Sequence, residues 1–468
     1  MKNKFIKNIC CIGAGYVGGP TMSVIAFNCP ELRVDVVDIN KERIEAWNSE
    51  DFSKLPIFEP GLEDIIKKCR GVNLFFSNNV EESISKADII FISVNTPTKK
   101  KGIGAGFASD LKWVESSARQ IAKFARNHTV VVEKSTLPVK TAETIKSILN
   151  SSEQNEGINK MNIQNNQKSF SIVSNPEFLA EGTAINDLQK PDRVLIGGED
   201  HYSIDLISDI YQNWVDKEKI ITTNLWSSEL SKLVSNAFLA QRISSINSIS
   251  AICEATGANI NEVAKAIGTD TRIGSKFLQP GPGFGGSCFK KDILNLVYLC
   301  KFYGLNEVAD YWEQVVDINQ WQQNRISSLV IRNLFGTLSN KKLAVYGFSF
   351  KANTNDTRES PSINVSINLL QEGAKLSFYD PKVSEKQILS EFENNINEKN
   401  VLVNNTALKA AEGADAIIVL TEWEEFNHLD WEDIFKIMRK PAWVFDTRVF
   451  LDKQYLKNIG FKVWSLGT

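Results

Sequence analysis

Several features are scarce in this sequence of 468 residues, and each scarcity excludes a class of protein. Neither charge is in excess: 53 basic residues face 56 acidic ones, a formal net charge of -3. No global basic field exists to hold a polyanion, so no nucleic acid partner is expected. No apolar run approaches the roughly 18 residues that span a bilayer, so no membrane partner is expected either. The first residues, Met1 to Asn8, are basic, but the apolar stretch behind them, Ile9-Cys10-Cys11-Ile12, is too short for the core of a secretion signal. Cysteine is sparse and odd in number: seven, at 10, 11, 29, 69, 253, 288 and 300, with no CxxC pair. Scattered thiols of this kind suit a reducing compartment, and a cytoplasmic location is expected. No metal ion is expected. What is present is ordinary for a folded chain, 43% hydrophobic and 23% charged. At about 150 residues per domain, the length suggests about three domains.

The first part alternates strand and helix patterns. Asn8 to Ile12 is a short apolar run ending in glycine, Tyr16 to Phe27 fits a helix, and Arg33 to Val37 is a β-branched run. Ala87 to Val94, Thr129 to Glu133, Ser171 to Ser174 and Arg193 to Ile196 read as further strands. Continuous apolar strands between helices predict a parallel sheet covered on both faces. From Trp226 to Phe335 the pattern turns helical. Ser228 to Thr256 carries Leu230, Leu233, Val234, Ala237 and Phe238 at helical spacing, a stripe fit for a core or a subunit interface. After Lys341 the alternation returns as a weak internal repeat. Lys342 to Tyr346 ends in Gly347 as Asn8 to Ile12 ends in Gly13, and Leu376 to Tyr379 ends in Asp380 as Val34 to Val37 ends in Asp38. Gly413-Ala414-Asp415 precedes AIIVL as Lys86-Ala87-Asp88 precedes IIFISV.

The expected fold is therefore α/β, with two Rossmann-like doubly wound parallel-sheet domains joined by a long central helix and a helical connector. The expected domains are 1–225, 226–335 and 336–468. Two polar stretches, Asn150 to Ser169 and Glu391 to Asn405, read as surface insertions.

Gly13-Ala14-Gly15-Tyr16-Val17-Gly18 is a GxGxxG between a strand and a helix. Gly13 allows the turn, Gly15 lets the backbone approach a pyrophosphate, and Gly18 lets helix and strand pack closely. Asp38 closes the second strand, where a carboxylate accepts hydrogen bonds from a ribose diol and repels a 2′-phosphate. The expected cofactor is NAD, with Arg43 as a complicating neighbour. The second sheet has Gly347-Phe348-Ser349-Phe350 at the matching place, without that spacing, and suits a different nucleotide ligand.

The stretch Gly281 to Asp292, GPGFGGSCFKKD, holds four glycines in the six residues from Gly281 to Gly286, then Cys288. Such a loop is expected to wrap closely round a ligand. A thiol at a helix N-terminus beside Lys290 and Lys291 is expected to ionise easily, and thiolate is the nucleophilic form. Asp292 lies one helical turn on, placed to orient a water. The ordinary reading of any cysteine is a buried packing thiol, which is kept for the other six.

The stretches CCIGAGYVGGPT, FISVNTPT, EKST, SNPEFLAEGTAI, DRVLIGG, WSSELSKL, NAFLAQRISSINSIS, GFGGSCF, KDILNLVYLC and DTRES together resemble the UDP-glucose/GDP-mannose dehydrogenase family. Within it the likeness is to the UDP-glucose 6-dehydrogenases of animals and plants, over nearly the whole chain. The resemblance implies a four-electron, two-step oxidation of UDP-glucose to UDP-glucuronate with two NAD+, through a cysteine thiohemiacetal and a thioester. It implies Cys288 as nucleophile, Lys232 stabilising an oxyanion or moving a proton, Asp292 and Thr136 directing water, and Glu177 as acid/base, with Asn236 beside them. It places NAD against Gly13, Gly15, Tyr16, Val17, Gly18, Asp38, Arg43, Val94, Asn95, Thr96, Pro97, Thr98, Ser135, Thr136, Glu181 and Arg358. It places the sugar nucleotide against Glu177, Phe178, Leu179, Ala180, Glu181, Lys232, Asn236, Phe277, Gln279, Gly285 and Phe289. Phe350, Lys351 and Arg448 would hold it from the C-terminal domain, and Arg272 would come from a neighbouring subunit. A homo-oligomer is implied, a dimer or a hexamer built of dimers. The rival readings are a dehydrogenase of GDP-mannose or of a UDP-N-acetyl-hexosamine, and a non-catalytic nucleotide-sugar-binding protein.

Overall fold

The computed structural model describes residues 6–136, 138–155, 168–392 and 400–468. Most of the first polar insertion and the middle of the second lie outside the described residues. The chain divides into two compact units, Met1–Ser235 and Asn236–Thr468.

The first unit is built on strands β1 (Asn8–Ile12), β2 (Arg33–Val37), β3 (Leu74–Ser77), β4 (Ile89–Ile92), β5 (Thr129–Glu133), β6 (Phe170–Ser174), β7 (Val194–Gly198) and β8 (Ile220–Thr223). They form one sheet in the order β3-β2-β1-β4-β5-β6-β7-β8. Neighbouring residues of β1 enter opposite layers: Ile9 and Cys11 join one core and Cys10 and Ile12 the other. This is the period of two expected of a strand buried on both faces. The sheet departs from the all-parallel expectation at one place. The β6–β7 pair is antiparallel, so β7 and β8 run against the other six strands. Apolar strands buried on both faces look alike in either direction, because only the connection decides which way a strand runs.

The second unit holds a sheet of β9 (Lys342–Tyr346), β10 (Lys375–Tyr379), β11 (Val401–Val403), β12 (Ala416–Val419), β13 (Trp443–Asp446) and β14 (Lys462–Ser465), in the order β11-β10-β9-β12-β13-β14. All its pairs are parallel. Its first four strands are arranged as β1 to β4 are, which is the internal repeat read from the sequence.

The likeness reaches individual bonds. Gly13 N donates to Val37 O, and Gly347 N donates to Tyr379 O. Gly13 has φ +110° and Gly347 φ +89°. A Cβ on Gly13 would lie 2.2 Å from Ser93 O, and one on Gly347 2.3 Å from Thr421 Cβ. Both turns therefore need glycine for conformation and for space. Asp88 accepts from Asn8 N as Asp415 accepts from Lys342 N.

Helices Leu225–Thr256, Ile260–Gly268, Phe289–Phe302 and Asn306–Asn333 fill the stretch between the sheets. The first runs for 32 residues. Its residues up to Ser235 belong to the first unit and the rest to the second. Its apolar stripe is not its buried stripe. Leu233 and Ala237 are buried, but so are Ser228, Glu229, Lys232 and Asn236, whereas Leu230 and Phe238 are 40% and 53% exposed. Polar side chains occupy the buried face because they find partners there.

Candidate active site

In the first unit, the turn after β1 is shaped for a phosphate. A Cβ on Gly18 would lie 2.0 Å from Gly13 O, so that glycine brings helix Gly18–Asn28 against the strand. A Cβ on Gly15 would meet nothing within 4 Å, which leaves the backbone open to a ligand. The first turn of the helix carries no acidic side chain, so its amides face that space without a competing anion. These features fit a dinucleotide.

Asp38 is buried at the end of β2. Its Oδ2 accepts from Ala14 N at 3.0 Å and pairs with Arg43 Nη1 at 3.0 Å, and its Oδ1 accepts from Asn40 N. Arg43 is thus neutralised by the carboxylate it complicates. Tyr16 packs against the core. Trp47, unnoticed in the sequence, lies fully buried beneath the turn and donates Nε1–H to Ala14 O at 3.0 Å. Only a glycine at 19 leaves room for its ring, since a Cβ there would lie 2.2 Å from Trp47 Cζ2.

Beyond β4 and β5 the two strand ends are tied together. Ser135 Oγ donates to Val94 O at 2.7 Å, and Thr96 Oγ1 donates to Thr136 O at 3.0 Å. Asn95 is exposed, and Val94, Pro97 and Thr98 are half-buried along this edge. The residues after β6 converge on the same unit's helix start. Glu177 Oε2 and Lys232 Nζ form a buried ion pair at 3.1 Å, with both side chains about 5% exposed. Lys232 and Arg193 lie over the Phe178 ring at 5.4 and 3.8 Å. Asn175 anchors this segment, its Oδ1 accepting from Lys134 Nζ at 3.0 Å and from Tyr211 OH at 2.7 Å. Glu59 accepts from Gly182 N and Ala184 N at the segment's far end. Leu179 and Glu181 are half-buried and Ala180 is exposed.

In the second unit, one of the seven cysteines stands apart. Cys288 is partly exposed; the other six, in both units, are buried. Burial pushes the thiols of Cys10, Cys11, Cys29, Cys69 and Cys300 upward, that of Cys29 to about 12, so none of these five is a ready nucleophile. Cys288 caps the start of helix Phe289–Phe302, and Asp292 N donates to its carbonyl at 2.9 Å. Asp292 is 1% exposed; its Oδ2 accepts from Asn236 Nδ2 at 2.6 Å and its Oδ1 pairs with Lys291 Nζ at 3.0 Å. Lys290 pairs with Glu359 at 2.9 Å. Both lysines expected beside the thiol are therefore engaged by carboxylates.

The glycine loop differs from its expectation as well. Residues 280–286 are buried and held by protein. Asn247 Oδ1 accepts from Gly281 N, Gln322 Nε2 donates to Gly281 O, and Asn319 exchanges two bonds with the backbone of Phe284. A Cβ on Gly285 would lie 2.5 Å from Glu359 O and 2.9 Å from Phe350 Cβ. The glycines admit neighbouring backbone and the half-buried Phe350 side chain, which is a packing role the sequence pattern does not distinguish from ligand wrapping. Phe289 stands edge-on to Phe284 at 5.8 Å.

Around the second sheet, Arg448 donates from Nε to Leu420 O and from Nη2 to Phe350 O, and pairs with Glu422 at 3.0 Å. Lys351 lies beside Phe350, 5.6 Å from its centroid. Arg358 forks onto Asp356, and its carbonyl accepts from Gly286 N. Asp380, the counterpart of Asp38, accepts from Phe348 N, Ser349 N, Trp423 Nε1, Lys382 N and Val383 N. With so many internal donors it is not left to a ribose, a physical reason for the second sheet to bind differently. Arg272 is 88% exposed and pairs with Asp270, while Phe277 (φ +62°) and Gln279 lie on the surface.

Comparison with known proteins finds three family matches along the chain. Residues 7–215 match the NAD binding domain of the UDP-glucose/GDP-mannose dehydrogenase family, 226–321 its central domain and 344–453 its UDP binding domain. UDP-glucose 6-dehydrogenase 5 of Oryza sativa subsp. japonica is 54% identical, over 98% of this chain and 96% of that protein. UDP-glucose 6-dehydrogenase of Drosophila melanogaster is 54% identical with the same coverage. The solved structure of a UDP-glucose dehydrogenase from the hyperthermophilic archaeon Pyrobaculum islandicum has a TM-score of 0.82 and 27% identity, over 99% of each chain. With a nucleotide turn in one unit, a partly exposed thiol in the other, and relatives matched from end to end, the chain belongs to the UDP-glucose/GDP-mannose dehydrogenase family as an NAD-dependent oxidoreductase.

Proposed function

We propose that this chain oxidises UDP-glucose to UDP-glucuronate in two steps at Cys288. The observation that carries the reading is the thiol itself. It is the partly exposed cysteine among buried ones, and Asp292, one turn along its helix, accepts a hydrogen bond from Asn236 of the connector helix. The chemistry explains the need for it. Bound NAD+ supplies the hydride acceptor in each step. Carbon 6 of the glucose loses a hydride and its hydroxyl loses a proton, leaving an aldehyde. An aldehyde has no hydride to release in the direction of an acid until a nucleophile adds. The Cys288 thiolate forms a carbon–sulfur bond to it as the carbonyl π bond breaks, giving the oxyanion of a thiohemiacetal, and loss of the second hydride to NAD+ leaves a thioester. Water adds to the thioester carbonyl, the carbon–sulfur bond breaks, and the acid and the thiol are released.

The other roles are those that the family resemblance implies. The Lys232 ammonium stabilises oxyanions at carbon 6, and its pairing with Glu177 places a proton acceptor beside it. Asp292, held by Asn236, directs the water together with Thr136. Asp38 takes the ribose of NAD, while Phe350, Lys351 and Arg448 take the sugar nucleotide. Lys232 and Asn236, both on the connector helix, are each buried with a carboxylate partner, Glu177 for the one and Asp292 for the other. Exposed Arg272 and the exposed Phe238 and Ile252 of the connector helix support a homo-oligomer of at least two chains. Seven scattered cysteines with no CxxC pair support a reducing, cytoplasmic setting.

Counting NADH formed per UDP-glucose consumed tests substrate, cofactor and both steps together. Two are expected. One NADH per sugar would sink the two-step mechanism. Faster turnover of GDP-mannose or of a UDP-N-acetyl-hexosamine would reassign the substrate, and no NADH from any of them would point to a binding protein.

A further inference from the structure

Two acidic residues that the chemistry above does not use are brought together inside the first unit: Glu133 lies opposite Ser174 in the sheet, Ser228 Oγ donates to Ser174 O at 3.3 Å, and Glu229 follows Ser228. Glu133 ends β5 and is 1% exposed; no donor among the described residues reaches either of its oxygens. Glu229, 4% exposed, stands in the opening turns of the connector helix, three residues before Lys232. Its Oε2 accepts from Lys140 N at 2.8 Å and its Oε1 from Ala142 N at 3.1 Å.

Two ionised carboxylates cannot share a buried place without a cation. The backbone donors keep the negative charge on Glu229. A proton held by the pair then belongs on Glu133, whose oxygens accept from no donor among the described residues. Burial, and the negative charge of the neighbour, pushes Glu133 well above the ordinary carboxyl value, and burial pushes Glu229 up to about 7. The other groups around the pair are few. Glu143, on helix Thr141–Asn155, is a like charge acting on Glu229. Lys134 is directed to Asn175 and Tyr211, and Lys232 to Glu177. Ile92 and Ser174, the neighbours of Glu133 in the sheet, carry no charge.

We propose that Glu133 and Glu229 are positioning residues, a carboxyl–carboxylate pair that holds one proton and thereby fixes Thr136 and Lys232 in their working places. The path is short at both ends. Thr136 follows Glu133 by three residues and Lys232 follows Glu229 by three. The bonds from Glu229 to the Lys140 and Ala142 amides also pin the start of helix Thr141–Asn155 to the connector helix. Loss of the shared proton puts two buried negative charges in contact and drives the β5 end and the connector helix apart.

The inference rests on the reading that Thr136 and Lys232 serve the oxidation. Its test is the pH dependence of kcat, KM and melting temperature for the full chain and for two variants, Glu133→Gln and Glu133→Ala. The sign follows from the raised values. The unfolded chain gives up the Glu133 proton above the ordinary value of 4.5, so the stability tied to it is full below that and is lost as pH rises through the raised value of Glu133. Glu133→Gln keeps a neutral donor toward Glu229 and removes the titrating proton. Its kcat at neutral pH stays within about threefold of wild type, and its alkaline decline in kcat and melting temperature is smaller than that of wild type. Glu133→Ala removes the donor, and kcat falls about tenfold or more with KM for NAD+ unchanged. Superimposable pH profiles for wild type and Glu133→Gln would overturn the proposal. So would a Gln variant as impaired as the Ala variant. If wild type does not oxidise UDP-glucose, the functional reading fails by itself, and the melting profiles of wild type and Glu133→Gln still decide the shared proton.

Discussion

Seven chemically identical side chains meet different fates in this chain, and burial sets them apart. Five of the thiols are pushed upward by desolvation, whereas Cys288 remains partly exposed where a helix begins. Serine in its place keeps the shape and loses the nucleophile. Cys288→Ser is expected to lower steady-state NADH production by about a thousandfold or more, with NAD affinity by calorimetry unchanged. Undiminished turnover would refute the role of the thiol. The sequence picks out Cys288 through its glycine-rich context and the helical pattern that follows. It does not show that Lys290 belongs to Glu359 and Lys291 to Asp292, because ion pairs form between whatever charges the fold brings together.

At the scale of elements, the turns after β1 and β9 show how one device serves two purposes. Each has a glycine in the left-handed region, a strand-end aspartate that accepts from the turn, and a close approach by the chain leaving the next strand. In the first turn Gly15 leaves room; in the second Phe348, Ser349 and Trp423 crowd the aspartate. The glycine loop before Cys288 has the opposite lesson. Its small residues are filled from outside by Glu359 and Phe350, so Gly285→Ala overpacks a buried contact. Its expected cost is about 1–3 kcal/mol, read as a lower denaturation midpoint with unchanged slope. An unchanged midpoint would mean that the loop yields freely.

For the whole molecule, the informative surface lies on the connector helix. Its buried face is given to Ser228, Glu229, Lys232 and Asn236, while Phe238 and Ile252 are more than half exposed. Apolar side chains left outside a long helix in this way suit a second copy of the chain. Phe238→Glu is expected to lower the mass found by sedimentation toward that of a single chain. A mass indifferent to that charge would place the subunit contact elsewhere. A second copy would also offer a place for Arg272, whose guanidinium is exposed and paired with Asp270.

The sequence by itself determined what is local and periodic: two alternating α/β halves, the GxGxxG turn with its distant aspartate, the long helix between, and one thiol in an unusual setting. Tertiary structure alone decided the rest. A strand buried on both faces, as β7 is, carries no mark of its direction, so its reversal is invisible until β6 pairs with β7. Glu133 reads as the last residue of a valine-rich strand and Glu229 as one charge on a helix, 96 positions apart (229 minus 133). Only folding takes both from water and sets them side by side, and it is desolvation that turns two ordinary acids into a pair holding a proton.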